Sequence, residues 1–317
     1  MLYRARKYLR NQHIELKLRQ ALKNKCFVPE QSLLIFSDPR GGSTWLTQLI
    51  NKIPRTAVVW EPLHLGEGSR FRALNFGWRQ YIPREASWPE ARLAFEKLLR
   101  GNHLNAYTTY LSNFNEYENA ETLIYKFCRG NALLPWLVKQ FDFRYLPIYL
   151  VRHPFAVVAS QLKHGGWNEQ SNKVKIPNTP FNSIYTQHAE FLFTLQTVEE
   201  QLVATWCITN NVVLKDRNND RDWITMHYED LFLNPEYELE KVFSRWKVNT
   251  PDHLFSEIRQ PSWSTVDSSP LQNSMYQLSK WQQQFSDKTI YMLEDVLQYF
   301  KIRHYNSSPL PIFHNGR

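Results

Sequence analysis

Cysteine is scarce: Cys26, Cys128 and Cys207 are scattered over 317 residues without a C-x-x-C spacing. That excludes a disulfide framework and a zinc knuckle, and leaves reduced, mostly buried thiols as the expectation. No apolar run approaches the roughly 18–20 residues that cross a bilayer, and no apolar stretch follows the basic N-terminus as a secretory signal would require. A cytoplasmic protein is therefore expected. Internal repeats and low-complexity tracts are missing too, and the polar run "DRNNDRD", Asp216 to Asp222, reads as an ordinary connecting turn. Glycine is also sparse, at 10 residues, so an adjacent pair at Gly41-Gly42 marks a place where the backbone needs unusual freedom.

What is present is enough to build a sizeable core: 43% hydrophobic and 15% aromatic residues. A formal charge of +8 favours an anionic partner, whether nucleic acid, a membrane surface or a phosphorylated small molecule. Part of that charge is local. Arg4, Arg6, Lys7, Arg10, Lys17, Arg19, Lys23 and Lys25 face a single acid, Glu15, in the first 25 residues. This segment, residues 1–31, is expected to be a basic helical extension, a solvated appendage or a peripheral contact to a membrane surface or nucleic acid, ahead of one domain over residues 32–317.

Short β-rich runs occur at residues 32–37, 56–60, 122–127, 146–151 and 222–228, with helical patterns between most of them. Continuous apolar strands alternating with helices imply an α/β fold, a central parallel sheet flanked by helices. Ser87 and Glu90 predict a capping box around Pro89 for a helix that stops at Gly101, and Pro154 opens another that stops at Gly165. Residues 182–215 read as one long helix or two joined ones, and Asn234 with Pro235 as a cap and first turn. Residues 61–85 and 165–182 stay irregular and are the candidate acceptor loops, on the side of the sheet where open α/β folds bind ligands. Trp78, Tyr81, Trp88, Trp167 and Phe181 lie in or beside them, placed for stacking on an acceptor or for core packing.

"LIFSDPRGGSTWL", Leu34 to Leu46, runs an apolar strand into Gly41-Gly42 and a helix beginning near Ser43. Such a turn aims backbone N–H groups and the positive end of a helix dipole at one point, which suits a phosphate. Arg40 adds a fork of donors. The Gly-Lys-Ser/Thr of an ATP-cradling loop is absent, which argues against a nucleotide triphosphatase. "YLPIYLVRHPFAVVAS", Tyr145 to Ser160, repeats the plan, with Arg152 at a strand end and Ser160 about two helical turns along. Two such units suit a nucleotide with phosphates at both ends of its ribose.

With "HYEDLFLNPEYELEKVF" and "IRQPSWST" downstream, the ordered pair of motifs resembles the sulfotransferases that use 3′-phosphoadenosine 5′-phosphosulfate (PAPS). The resemblance covers roughly residues 32–300 and implies a P-loop-like nucleotide-binding fold. It assigns Arg40, Gly41, Gly42, Ser43, Thr44 and Trp45 to the 5′-phosphosulfate, Arg152 and Ser160 to the 3′-phosphate, and Arg259, Ser262 and Trp263 to a loop closing over the 3′-phosphate and adenine. Tyr228 and Glu229 match a family signature whose duty here is read as structural. The product would be adenosine 3′,5′-bisphosphate (PAP), and no metal is expected.

Two departures narrow the resemblance. The first loop carries Arg40 where many members have lysine, as in carbohydrate-type and many bacterial members. In "YKFCRG", Lys126 is present, but Cys128 stands where members acting on phenols and steroids carry the basic histidine. The base must come from elsewhere: Glu61 in "VVWEPLH", similar to a Glu-Pro of carbohydrate sulfotransferases, or His64. Lys126 and Arg40 would neutralise the charge developing on the transferring group. A soluble, bacterial-type enzyme acting on a hydroxyl or amine of a small-molecule, glycan or lipid acceptor is the reading. Its rivals are a P-loop-type small-molecule kinase and a non-enzymatic basic protein binding nucleic acid or a membrane surface; the scattering of basic residues beyond the N-terminus speaks against nucleic acid.

Overall fold

Five parallel strands form one sheet: β1 (Leu33–Ser37), β2 (Thr56–Trp60), β3 (Thr122–Phe127), β4 (Ile148–Val151) and β5 (Ile224–His227). Their spatial order is β2-β3-β1-β4-β5. This computed structural model describes residues 2–66, 69–102, 104–165, 176–251, 254 and 274–312. The order decides where a ligand can go. The chain leaves β1 toward the β2 edge, returns beside it as β3, and then crosses to the other side for β4 and β5. The carboxyl ends of β1 and β4 therefore flank the point where the direction of winding reverses, where open α/β sheets form their crevice.

The strands read as unbroken apolar runs because both faces of the sheet are covered. Leu34, Phe36, Leu123, Tyr125, Phe127 and Tyr149 join one core with Phe95, Trp136, Phe155 and Trp206. Their alternates Leu33, Ile35, Ile124, Ile148 and Leu150 join another with Leu46, Leu239, Phe243 and Trp246. The period of two along a strand divides the side chains between the layers. It also puts Lys126 on the same face as Ile124, toward the helix Ser43–Ile50.

Several boundaries differ from the sequence expectation. Residues 182–215 break into three helices, Ser183–Thr186, Ala189–Thr194 and Val198–Leu214. The last starts afresh because Thr197 and Glu200 form a reciprocal capping box. The helix Pro89–Leu99 has Trp88 at its N-cap with no side-chain cap, so the predicted Ser87 box does not form; a capping box exists instead at Asn113 and Glu116. Asn234 precedes Pro235–Trp246 without a side-chain cap either. His153 caps Pro154–His164 by accepting the Phe155 N–H on Nδ1 at 3.2 Å. Cys128 and Cys207 are buried and Cys26 is exposed.

The basic N-terminal helix, Leu2–Leu22, is tied to the body through its second half. Leu18 is 2% exposed within the main core, Ile14, Ala21 and Leu22 pack against it, and the Lys17 ammonium lies 5.4 Å from the centre of the Phe114 ring. Tyr8, Leu9 and Leu16 face outward. Leu18→Ala is expected to lower unfolding free energy by about 2–4 kcal/mol, while Leu16→Ala changes it by less than about 0.5 kcal/mol. Denaturant titration of both variants checks this, and equal small effects would mean that the helix is not part of the folded core.

Candidate functional site

The turn after β1 is bent into a shape that few sequences accept. Arg40 has φ 69° and Gly42 has φ 91°. A side chain at Gly41 would lie 2.2 Å from Ser37 Oγ, and one at Gly42 2.3 Å from the Tyr228 ring. Both glycines are thus required by close approach, and Gly42 by its left-handed backbone as well. Gly41 N–H closes the turn on the Asp38 carbonyl at 2.9 Å. The first-turn amides of Ser43–Ile50 then face the mouth of the turn together with the helix dipole.

Asp38 holds this turn to three other parts of the chain. Its carboxylate accepts from Arg79, from Asn131 Nδ2 at 3.2 Å and from Asn210 Nδ2 at 2.7 Å. Gln161 Nε2 donates to the Pro39 carbonyl at 3.0 Å. The turn is therefore fixed from the helix Val198–Leu214, from the loop carrying Arg79 and from the helix after β4. Trp45 packs edge-on against Tyr228 and Phe232, its ring 6.2 Å from each.

The second motif meets the first directly. Arg152 Nη1 donates to the Arg40 carbonyl at 3.1 Å, and Arg40 Nε donates to Ser160 Oγ at 3.1 Å. Arg152 also lies 4.4 Å from the centre of the Tyr228 ring. Arg40, Arg152 and Ser160 thus occupy one crevice at the reversal between β1 and β4. Burial and the neighbouring Arg152 charge both lower the Arg40 pKa, the sign of two cations held close with little water between them. Arg152 Nε is buried with no hydrogen-bond partner among the described residues, so the crevice has donor capacity to spare. Arg259, Ser262 and Trp263 lie outside the described residues, as does Trp167.

Tyr228 and Glu229 support this crevice from below. Glu229 accepts the His153 backbone N–H at 2.9 Å and the Tyr305 hydroxyl at 3.1 Å. Burial pushes its carboxyl up to about 7, outweighing those hydrogen bonds and the Arg152 charge, which pull the other way. His153 donates from Nε2 to the Asn306 carbonyl at 2.8 Å; burial lowers its pKa to about 4 and keeps the ring neutral.

Beside the turn, the ends of β2 and β3 carry a line of reactive groups. Ser43 Oγ lies 3.5 Å from Cys128 Sγ, and Lys126 Nζ donates to that sulfur at 2.8 Å. Lys126 Nζ also reaches Glu61 Oε1 at 3.2 Å and sits 3.5 Å from the centre of the Trp60 ring. Glu61 Oε2 accepts from Arg129 Nη1 at 2.8 Å and from the Tyr107 hydroxyl at 3.3 Å. The Arg129 guanidinium lies 4.7 Å from the centre of the Trp78 ring. Lys126 is 2% exposed along its side chain, Glu61 14% and Arg129 20%, so the line opens outward toward Arg129.

Burial raises the Glu61 pKa, but the Lys126 and Arg129 charges outweigh it and hold the carboxyl at about 2. Its backbone is strained as well, at φ 36°. Cys128 is pushed up, by burial first and then by Glu61, and stays a thiol at neutral pH despite Lys126. His64 Nδ1 accepts the Gly66 N–H at 3.2 Å, which puts the imidazole proton on Nε2. Burial and then Arg129 lower its pKa. Its ring packs 4.5 Å from Tyr107 and 5.1 Å from Trp78. Of the two base candidates, Glu61 has its carboxylate bonded to cations on both sides, and His64 has its free lone pair already engaged.

Sequence reasoning missed Arg129 and Tyr107. Arg129 directly follows Cys128, and its spacing of three residues from Lys126 on a strand end was the available signal; Tyr107 had none. Trp78 is exposed beside Arg129, whereas Trp88 and Phe181 pack on each other 5.6 Å apart. Among the described residues no group of His, Cys, Asp or Glu could hold a metal ion, and no helix is long and apolar enough to cross a membrane.

Comparison with known proteins gives the family. The profile of the sulfotransferase domain matches residues 30–301. A search of curated proteins found no match. Among solved structures, a mouse sulfotransferase complexed with PAP is 14% identical, with 90% of each chain covered and a TM-score of 0.48. A sulfotransferase domain from the curacin biosynthetic pathway is 18% identical over 86% of this chain and 97% of its own, with a TM-score of 0.43. A sulfotransferase from Mycobacterium avium is 13% identical over 91% of this chain and 79% of its own, at 0.44.

The raised Glu229 carboxyl sets a pH dependence of stability. Its folded pKa of about 7 exceeds the unfolded 4.5, so the native state holds this proton more tightly and the contribution is lost as pH rises through about 7. Glu61, held at about 2, contributes in the opposite sense and is lost only as pH falls toward 2. Thermal denaturation is expected to show Glu229→Gln losing less stability than the parent between pH 5.5 and 8.5; identical slopes would remove Glu229 as the source.

Proposed function

The chain belongs to the sulfotransferase family, and we propose that it transfers a sulfuryl group from PAPS to a hydroxyl or amine of a small-molecule, glycan or lipid acceptor, with Glu61 as the base. The observation that carries this is the joined pair of strand ends, Arg40 bonded to Ser160 and Arg152 bonded to the Arg40 carbonyl. A nucleoside bisphosphate matches that donor set: two cations, a buried Arg152 Nε without a partner, and a Gly-Gly turn that a side chain would fill. Arg40, Gly41, Gly42, Ser43, Thr44 and Trp45 would hold the 5′ end, and Arg152 with Ser160 the 3′-phosphate. Arg259, Ser262 and Trp263 belong to this reading on sequence alone. When bound, PAPS supplies the sulfuryl group and a good leaving group, adenosine 3′,5′-bisphosphate.

The chain's own residues supply three things. Arg40 and the first-turn amides meet the negative charge that grows on the departing oxygen. Lys126, fixed by Cys128 and the Trp60 ring, lies between that turn and Glu61, where it faces the group being transferred. Glu61 receives the acceptor proton on a carboxylate oxygen as the acceptor attacks sulfur. Cys128 is no substitute for a basic histidine: a buried neutral thiol accepting from Lys126 positions the ammonium instead.

A general base is usually worth about 10² or more in rate. With labelled PAPS and a panel of hydroxylated acceptors, Glu61→Gln is therefore expected to lower the transfer rate by about 10² or more, and a loss of less than about tenfold would exclude Glu61 as the base. In calorimetry, Arg152→Ala is expected to weaken adenosine 3′,5′-bisphosphate by about tenfold or more, as loss of a charge-assisted phosphate contact requires. Unchanged affinity would overturn the nucleotide assignment.

A further inference from the structure

A carboxylate held at about 2 by two cations is a poor proton acceptor near neutral pH. Something must relieve it before an acceptor hydroxyl can be activated. Lys126 is not free to leave: its ammonium is buried, bonded to Cys128 Sγ and set against the Trp60 ring. Arg129 differs on each count. It is the more exposed of the two, it holds Glu61 through Oε2 alone, and its other contact is the face of Trp78, itself 46% exposed.

The order of groups also separates their duties. From the phosphate turn outward the contacts run Ser43, Cys128, Lys126, Glu61, Arg129, Trp78. Lys126 adjoins the donor end and Arg129 the acceptor end. We propose that Arg129 is an acceptor-anion subsite: a carboxylate or phosphate on the hydroxylated acceptor draws its guanidinium off Glu61, leaving the base paired with Lys126 alone. The acceptor is thereby an acidic molecule, and its own charge readies the base that takes its hydroxyl proton as the hydroxyl oxygen attacks sulfur. Trp78 keeps the displaced guanidinium close by, because a cation within about 6 Å of an aromatic face is attracted to it.

The other groups facing Glu61 do not serve in this way. Tyr107 is neutral, raised by burial and by Glu61 itself; Cys128 is a neutral thiol; and His64 carries its proton on Nε2, with Nδ1 engaged by Gly66. Among the described residues, Arg129 is the cation on that side which an incoming anion can reach.

This inference rests on the sulfuryl-transfer reading, and calorimetry tests the two apart. With PAP bound, D-glucuronate is expected to bind at least about tenfold more tightly than D-glucose, and Arg129→Ala to abolish that preference. Equal affinities in the parent protein, or a preference that survives in Arg129→Ala, would overturn the subsite. Carbon-13 NMR of labelled glutamate, with the Glu61 signal identified by its loss in Glu61→Gln, gives a second readout. D-glucuronate should raise the Glu61 titration midpoint in the parent, and Arg129→Ala should start from a raised midpoint; a midpoint that moves in neither case refutes the coupling. Failure of PAP to bind at all would refute the nucleotide reading instead.

Discussion

Two guanidinium groups are held side by side at the reversal of the sheet, and much of the surrounding structure serves to keep them there. Arg40 and Arg152 repel each other, and burial strengthens the repulsion by removing the water that would screen it. The arrangement persists because each is tied to the other's segment: Arg152 to the Arg40 carbonyl, and Arg40 to Ser160 on the helix after Arg152. Asp38 fixes the turn from behind through Arg79, Asn131 and Asn210. Tyr228 lies against both segments, under Arg152 and where any side chain at Gly42 would have to go. A ligand with two anionic ends relieves the repulsion, which is the physical sense in which this crevice is prepared for one.

The same logic of opposed charges continues along β2 and β3, with the sign reversed. There a single carboxylate is shared between two cations, so the resting site is electrostatically satisfied and chemically quiet. On the proposed reading an anion at the mouth disturbs that balance by competing for Arg129, while Lys126 stays fixed by Cys128 and the Trp60 ring. Under the proposal, Glu61 would act as a base only when the site is filled, which would follow from where the groups sit along one line of contacts.

The sheet, its parallel direction and the two strand-to-helix turns were legible in the sequence because each is a local pattern. Continuous apolar runs such as Leu33–Ser37 mark strands buried on both faces, and Gly41-Gly42 or Arg152-His153-Pro154 mark the passage from a strand end into the next helix. Residues 182–215 read as one long helix or two joined ones because the apolar pattern runs on through the breaks; the Thr197-x-x-Glu200 pattern that starts the last helix was a local signal the reading passed over. At the site, Lys126 and Glu61 stood out as charged residues ending apolar strands. Arg129 and Tyr107 did not, since their meaning comes only from proximity to Glu61 across 68 and 46 residues of chain. The state of Glu61 was hidden for the same reason: a lone carboxylate reads as a base until its two cations are placed.

The central claim is that one crevice recognises two separate anionic groups on the same nucleotide. Calorimetric titration with adenosine 3′,5′-bisphosphate against adenosine 5′-monophosphate tests it most directly. Loss of the 3′-phosphate should weaken binding by about tenfold or more, the worth of a charge-assisted contact at Arg152. Equal affinity for the two nucleotides would contradict the account.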